Sequence, residues 1–174
     1  MSGAEEDGGA ALVRCVVEIP KGSRNKYEHE PGSDAIMLDR FLSASVVYPT
    51  DYGYVPGTLA EDGDPLDVLI CVSEPTFPGC VVMGRVVGLF DMEDEHGLDA
   101  KLLCVPRADP NWSAMRDLDD LPSQLRSEIA HFFSIYKDLD ASRHSEVRGW
   151  RDRRAALAEL AEARARFART NDRA

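Results

Sequence analysis

Polar and apolar residues alternate along "LVRCVVEI" (12–19), placing Val13, Cys15, Val17 and Ile19 on one face. That two-residue period predicts a strand with one side buried. Further short β-type runs lie near 35–41, 46–48, 67–72, 81–90 and 100–105, divided by Gly, Pro and Asp turns. Several short strands punctuated in this way predict a small barrel or sandwich. The period then lengthens. In "DDLPSQLRSEIAHFFSIYKDLD", Leu121, Leu125, Ile129, Phe132 and Tyr136 recur every three to four residues. This predicts an amphipathic helix capped by Asp119 or Asp120, with Pro122 in its first turn. A second helix is predicted from about 150 to 168, with Leu157, Leu160 and Ala161 inward and Glu162 paired to Arg166 across one turn. No internal repeat or linker interrupts the pattern. The expectation is one α+β domain over 12–168, a compact β-barrel flanked by helices, with residues 1–11 a disordered acidic leader and 169–174 a flexible tail.

Composition narrows the class. The chain has 174 residues, 44% hydrophobic and 29% charged, ordinary for a globular protein. No apolar run approaches the ~20 residues that span a bilayer, and "MSGAEEDGGAALV" lacks the features of a secretory signal. Cys15, Cys71, Cys80 and Cys104 form no CxxC and sit among Val, Leu and Ile. Buried reduced thiols are therefore expected rather than a zinc site or disulfides, in keeping with a cytoplasmic protein.

Charge changes the picture more. Residues 148–174 hold eight Arg against four acids, so the preceding residues carry −15 of a total of −11. Such a body repels nucleic acid and membrane surfaces. An anionic substrate could be handled only after cations had been gathered.

The stretch "EDGDPLDVL" (61–69) offers a place to gather them. Gly63 permits unusual φ, Pro65 stiffens the bend, and Asp67 opens the next strand. Carboxylates on a preset loop suit Mg²⁺, which prefers octahedral oxygen. An EF-hand does not fit: counted from Asp62, Leu66 takes the fifth position and Ser73 the twelfth. The competing possibility is a solvated acidic turn. Elsewhere acids and bases share faces: Lys26 with Glu28, and Asp99 with Lys101 beyond the "DMEDEHG" turn that holds Asp94 and Glu95. Tyr48, Tyr52 and Tyr54 lie in a Pro/Gly-framed segment, able to bond phosphate oxygens or simply to pack. Lys137 follows Tyr136 at a helix C-terminus, where a cation also compensates the dipole. His131, beside Phe132 and Phe133, is expected in the core or at a subunit contact, and His96 borders the acidic turn without an assigned role. P-loop, Rossmann and GxSxG signatures are missing from the sequence.

The blocks "EIPKGSRNKYE", "LDRFL", "YPTDYGYVPGTL", "DGDPLDVL", "DEHGLDAKLLCVP" and "IAHFFSIYKDLD" resemble, in order and spacing, family I soluble inorganic pyrophosphatases. The resemblance runs from about residue 12 to 151, and its D-x-D-P-x-D motif is highly specific. It implies an OB-type five-stranded barrel with two helices in the C-terminal half, and Mg²⁺-dependent hydrolysis of pyrophosphate to two orthophosphates. By matching position it implies metal ligation by Asp62, Asp67 and Asp99, with Asp94 and Glu28 joining for metals that arrive with substrate. Glu18 would be a nearby supporting acid and Asp64 the acceptor of the attacking water's proton. Lys26, Arg40, Tyr52, Lys101, Tyr136 and Lys137 would hold phosphate oxygens, with Tyr48 close by. Several Mg²⁺ ions per site are implied, with Mn²⁺ or Zn²⁺ as substitutes, and a homohexamer as the assembly. The segment "DASRHSEVRGW" departs from the family's "GKxVK", so no roles carry over at 143–148. Rival expectations are another metal-dependent phosphohydrolase, a single-strand nucleic-acid binder of OB type and a non-catalytic calcium-binding protein.

Overall fold

The computed structural model describes residues 6, 7 and 10–172. Strands β1 (Glu6–Asp7), β2 (Ala10–Ile19), β3 (Asn25–His29), β4 (Ile36–Phe41), β5 (Asp51–Tyr54), β6 (Asp67–Ile70), β7 (Val81–Asp94) and β8 (Gly97–Pro106) precede helix α1 (Ser123–Ile135). Strand β9 (Ser145–Arg151) and helix α2 (Arg153–Asn171) follow. Strands run in the order β2–β5–β6–β8–β7, and β7 pairs back onto β2, so five strands close a ring. That closure is the expected barrel. It removes the exposed edges an open sheet would leave.

The ring is covered on both sides, which explains the continuous apolar runs in its strands. Along β8, Leu102 and Cys104 join a core with Ala156, Leu160 and Ala163 of α2. Their neighbours Leu103 and Val105 join a second core with Ile129, Phe132 and Phe133 of α1. Alternate residues of one strand thus feed two cores, each large side chain contributing about 2 kcal/mol by burial.

Several expectations are corrected. Residues 46–48 form no strand, because Tyr48 is drawn into the α1 core and its backbone bonds Ser23 and Gly22 instead. Asp117, not Asp119 or Asp120, caps a short 3-10 turn (Leu118–Asp120), and Pro122 stands at the N-cap of α1. Asp152 caps α2 by accepting from the Ala155 N–H at 2.9 Å. Ala161 faces outward, since the buried stripe runs through Ala156, Leu160 and Ala163. Arg166 pairs with Glu159, not Glu162. His131 is exposed and so lies outside the core. At the N-terminus Glu6 and Asp7 pair with Ala11 and Ala10, and the rest of the expected leader lies outside the described residues. Helix α2 continues past residue 168 to Asn171, and residues 173–174 lie outside the described residues. Among the described residues, no helix is long and apolar enough to cross a membrane. All four cysteines are free, three of them buried.

Candidate active site

A cavity of about 1090 Å³ opens at one end of the barrel. Every residue singled out by position lines it: Glu18, Lys26, Glu28, Arg40, Tyr48, Tyr52, Asp62, Asp64, Asp67, Asp94, Asp99, Lys101, Tyr136 and Lys137.

Strand register assembles its floor. Parallel pairing of β6 with β8 sets Asp67 beside Lys101, and Asp99 lies two residues away on the same face. Lys101 Nζ reaches Asp67 Oδ2 at 2.8 Å, Asp99 Oδ2 at 2.9 Å and the Tyr52 hydroxyl oxygen at 2.9 Å. Tyr52 in turn donates to Asp67 Oδ2 at 2.6 Å. The Lys101 side chain is only 2% exposed. Burial alone would lower its pKa, but the charges of Asp67 and Asp99 outweigh that and raise it. Burial also raises Asp99, against the opposing pull of Lys101. Tyr52 and Lys101 therefore spend their polar ends on the carboxylates.

The acidic loop overhangs this floor. Its base is tied by Thr58, whose hydroxyl donates to Val55 O at 2.5 Å and accepts from Leu66 N at 2.9 Å. Gly63 has φ +91°, a left-handed turn that glycine alone adopts without strain. Asp62 Oδ1 accepts from the Asp64 N–H at 3.0 Å, which leaves the Asp64 carboxylate exposed. Partial burial, then the charges of Asp62, Asp67 and Glu28, push Asp64 above the usual carboxylate range.

The walls carry cations held by acids. Lys137, just beyond the end of α1, donates to Asp94 Oδ2 at 3.1 Å and to Glu95. Burial would raise Asp94, but the His96 N–H and Lys137 hold it below its ordinary value. Lys26 bonds Glu28 and, at 3.0 Å, Asp39 Oδ2, which also accepts from Arg40 Nε at 2.7 Å. Sequence alone does not reveal Asp39, because a regular strand would turn it away from Arg40. A bulge leaves Asp39 unmatched between the Lys26–Arg40 and Tyr27–Leu38 pairs, and its carboxylate meets both Lys26 and Arg40. Glu95, Asp140 and Arg143 also join the cavity. Arg143 lies in the segment that departs from the family pattern and pairs with Asp140 at 3.2 Å. Tyr48 packs edge-on to Tyr52 and against Phe132, its hydroxyl pKa pushed up by burial. Tyr136 stacks near Phe132 and Phe133, likewise raised by burial.

A second bulge serves Glu18. Val17 pairs with Gly53 and Ile19 with Tyr52, so Glu18 is the extra residue and faces the cavity. Only glycine fits at position 53, because an added Cβ would lie 1.9 Å from the Val16 carbonyl oxygen. Burial pushes the Glu18 carboxyl up to about 7, against the His29 N–H that bonds it at 2.9 Å. The folded protein thus binds this proton more tightly than the unfolded chain. Its stability should fall as pH rises from about 4.5 to about 7 and then level off. In chelator, Glu18→Gln is expected to flatten that decline and to gain on the order of 3 kcal/mol over the parent at pH 8. Denaturant melts at pH 4 and pH 8 check this; equal stabilities of the two proteins at pH 8 would refute it.

Among the described residues, no three His, Cys, Asp or Glu side chains stand close enough to hold a metal by themselves. The donor set nonetheless fits a hard divalent cation. It is all oxygen, and the Lys101 ammonium already stands as a cation between Asp67 and Asp99. Mg²⁺ also keeps several waters and needs few protein ligands.

Comparison with known proteins agrees with this geometry. A model of the inorganic pyrophosphatase family matches residues 15–168. An inorganic pyrophosphatase of Methanosarcina acetivorans is 50% identical over 156 residues, covering 90% of this chain and 92% of the relative. That of Streptomyces coelicolor is 51% identical over 151 residues, covering 87% and 93%. The crystal structure of the Thermus thermophilus inorganic pyrophosphatase superposes with a TM-score of 0.90 at 46% identity, covering 96% of each chain. Sequence, fold and cavity converge, and the chain belongs to the inorganic pyrophosphatase family.

Proposed function

We infer that this protein hydrolyses pyrophosphate to two orthophosphates, with divalent metal, in the cavity at the end of the barrel. The supporting observation is that acids, bases and tyrosines from six separate sequence blocks line one cavity in a chain of this family. We propose Mg²⁺ as the metal, with Mn²⁺ or Zn²⁺ as substitutes. Asp62, Asp67 and Asp99 would hold the first ion, and Asp94 and Glu28 those that accompany substrate. Bound divalent metal supplies neutralising charge and lowers the pKa of water towards ~7.

The remaining tasks fall to the side chains. Asp64, exposed at the loop tip, accepts the proton of the attacking water. Lys26, Arg40, Tyr136 and Lys137 hold phosphate oxygens and stabilise charge as the bridging oxygen departs. Asp39, Asp94 and Glu95, the present acid partners of Lys26, Arg40 and Lys137, hold these three cations in place. Tyr52 and Lys101 act from behind the carboxylates, and Glu18 and Tyr48 shape the wall. Pyrophosphate is the partner; a nucleic acid or a membrane is not, given the acidic body. Exposed Met37, Leu38 and Phe41 on β4 support self-association, proposed as a homohexamer. Four free cysteines support a reducing, cytoplasmic setting.

Phosphate release from pyrophosphate should be rapid with Mg²⁺, abolished by chelation and poor with Ca²⁺, whose looser geometry polarises water less. Activity that survives exhaustive chelation would overturn this function. A nucleotide substrate turned over faster than pyrophosphate would favour the broader phosphohydrolase instead.

A further inference from the structure

The Arg-rich end of α2 lies outside the catalytic machinery, yet this helix reaches the acidic loop. Arg166 Nε donates to the Leu59 carbonyl at 2.8 Å, across 107 residues of sequence. The Leu59 N–H donates to the Ala163 carbonyl at 2.9 Å. Helix α2 thus holds both backbone polar groups of the residue that enters the loop. Arg166 is itself braced by Glu159 two turns earlier, Nη2 to Oε1 at 2.6 Å, with both side chains about one-fifth exposed.

The next bond carries the consequence. The Leu59 carbonyl and the Ala60 N–H belong to one planar peptide unit. That N–H donates to the Asp64 carbonyl at 2.7 Å. One rigid plane is therefore gripped by Arg166 on one edge and by Asp64 on the other. The guanidinium charge polarises this amide and strengthens its bond to Asp64. The loop's base is fixed separately through Thr58, Val55 and Leu66. Loss of the helix grip would therefore displace the tip, residues 60–64, while leaving the ends anchored.

We propose that Arg166, braced by Glu159, is a positioning residue of this active site: through the 59–60 peptide it sets the loop that presents Asp62 and Asp64. Its effect on turnover rests on the role given above to Asp64, but its effect on the loop does not. Arg166 touches no reacting atom. A merely structural role, stapling α2 to the barrel, would disturb the helix as a whole rather than the loop tip.

Arg166→Met, Arg166→Lys, Glu159→Gln and, as control, the solvent-facing Arg169→Ala separate these roles. For Arg166→Met, kcat should fall about tenfold with KM for pyrophosphate within about twofold, as misplacement of a catalytic group predicts. Amide hydrogen exchange at 60–64 should quicken about tenfold while the α2 amides keep their protection, and Mg²⁺ affinity by calorimetry should weaken. Arg166→Lys should recover part of each change, Glu159→Gln should show a smaller change in the same direction, and Arg169→Ala should match the parent. Unchanged exchange at 60–64 in Arg166→Met, or faster exchange spread along α2, would overturn the proposal. Should that variant not fold, Arg166→Lys and Glu159→Gln decide by the same measurements. If Asp64→Asn kept full turnover, the role of Asp64 would fail, whereas faster exchange at 60–64 with weaker Mg²⁺ binding would still uphold Arg166.

Discussion

Asp64→Asn is expected to fold and to bind divalent metal like the parent protein, while losing about 10²- to 10⁴-fold in kcat. The substitution keeps the shape of the side chain and leaves the loop intact, because residue 64 is tied into the loop through its own backbone groups. Its ties are the Asp64 N–H on Asp62 and the Asp64 carbonyl on the Ala60 N–H. What disappears is a carboxylate able to take a proton. Asp64 suits that task because its tip stays open to the cavity. Single-turnover phosphate release at saturating Mg²⁺ and pyrophosphate gives the chemical step directly. A variant within about threefold of the parent would remove Asp64 from the role of base, since that effect lies far below general-base catalysis.

Lys101→Met is expected to be the most damaging change to the stability of the metal-free protein. Lys101 is buried and bonds Asp67, Asp99 and Tyr52 together. Removing the ammonium leaves two part-buried carboxylates facing each other without a counter-charge, a loss of about 3–5 kcal/mol. For a chain of this size that is roughly 10–15 °C in Tm. The loss should shrink when Mg²⁺ is added, because a cation at these carboxylates supplies the counter-charge that the variant lacks and so stabilises its folded state more than the parent's. Thermal melts in chelator and in millimolar Mg²⁺ test both halves. A variant that melts with the parent in chelator would show that the Lys101 cluster contributes little.

The contrast between these two residues bears on how the site is built. Asp64 sits on a stiff local turn, and that turn could be read from Gly63 and Pro65. Lys101 could be read as facing the same way as Asp99, but not as buried. Its burial comes from Tyr52 and Phe133, which close over the ammonium from β5 and α1 at 5.1 and 5.5 Å from their ring centres. In the fold the polar ends of Lys101 and Tyr52 bond the carboxylates Asp67 and Asp99.

Local chemistry determined a good deal by itself. The two-residue alternation of 12–19 made β2, the apolar stripe from Leu121 to Tyr136 made α1, and Gly63 and Pro65 made the bend of the acidic loop. Such features depend on neighbours a few residues apart, whose sterics and periodicity are written in the chain. Tertiary structure decided the rest: the β2–β7 pairing that closes the ring, the bulges that turn Glu18 and Asp39 to their partners, and the bond from Arg166 to Leu59. These choices join segments far apart, and an alternating strand can meet many partners in either register. Only simultaneous packing of both cores makes one set of pairings lower in free energy than the others.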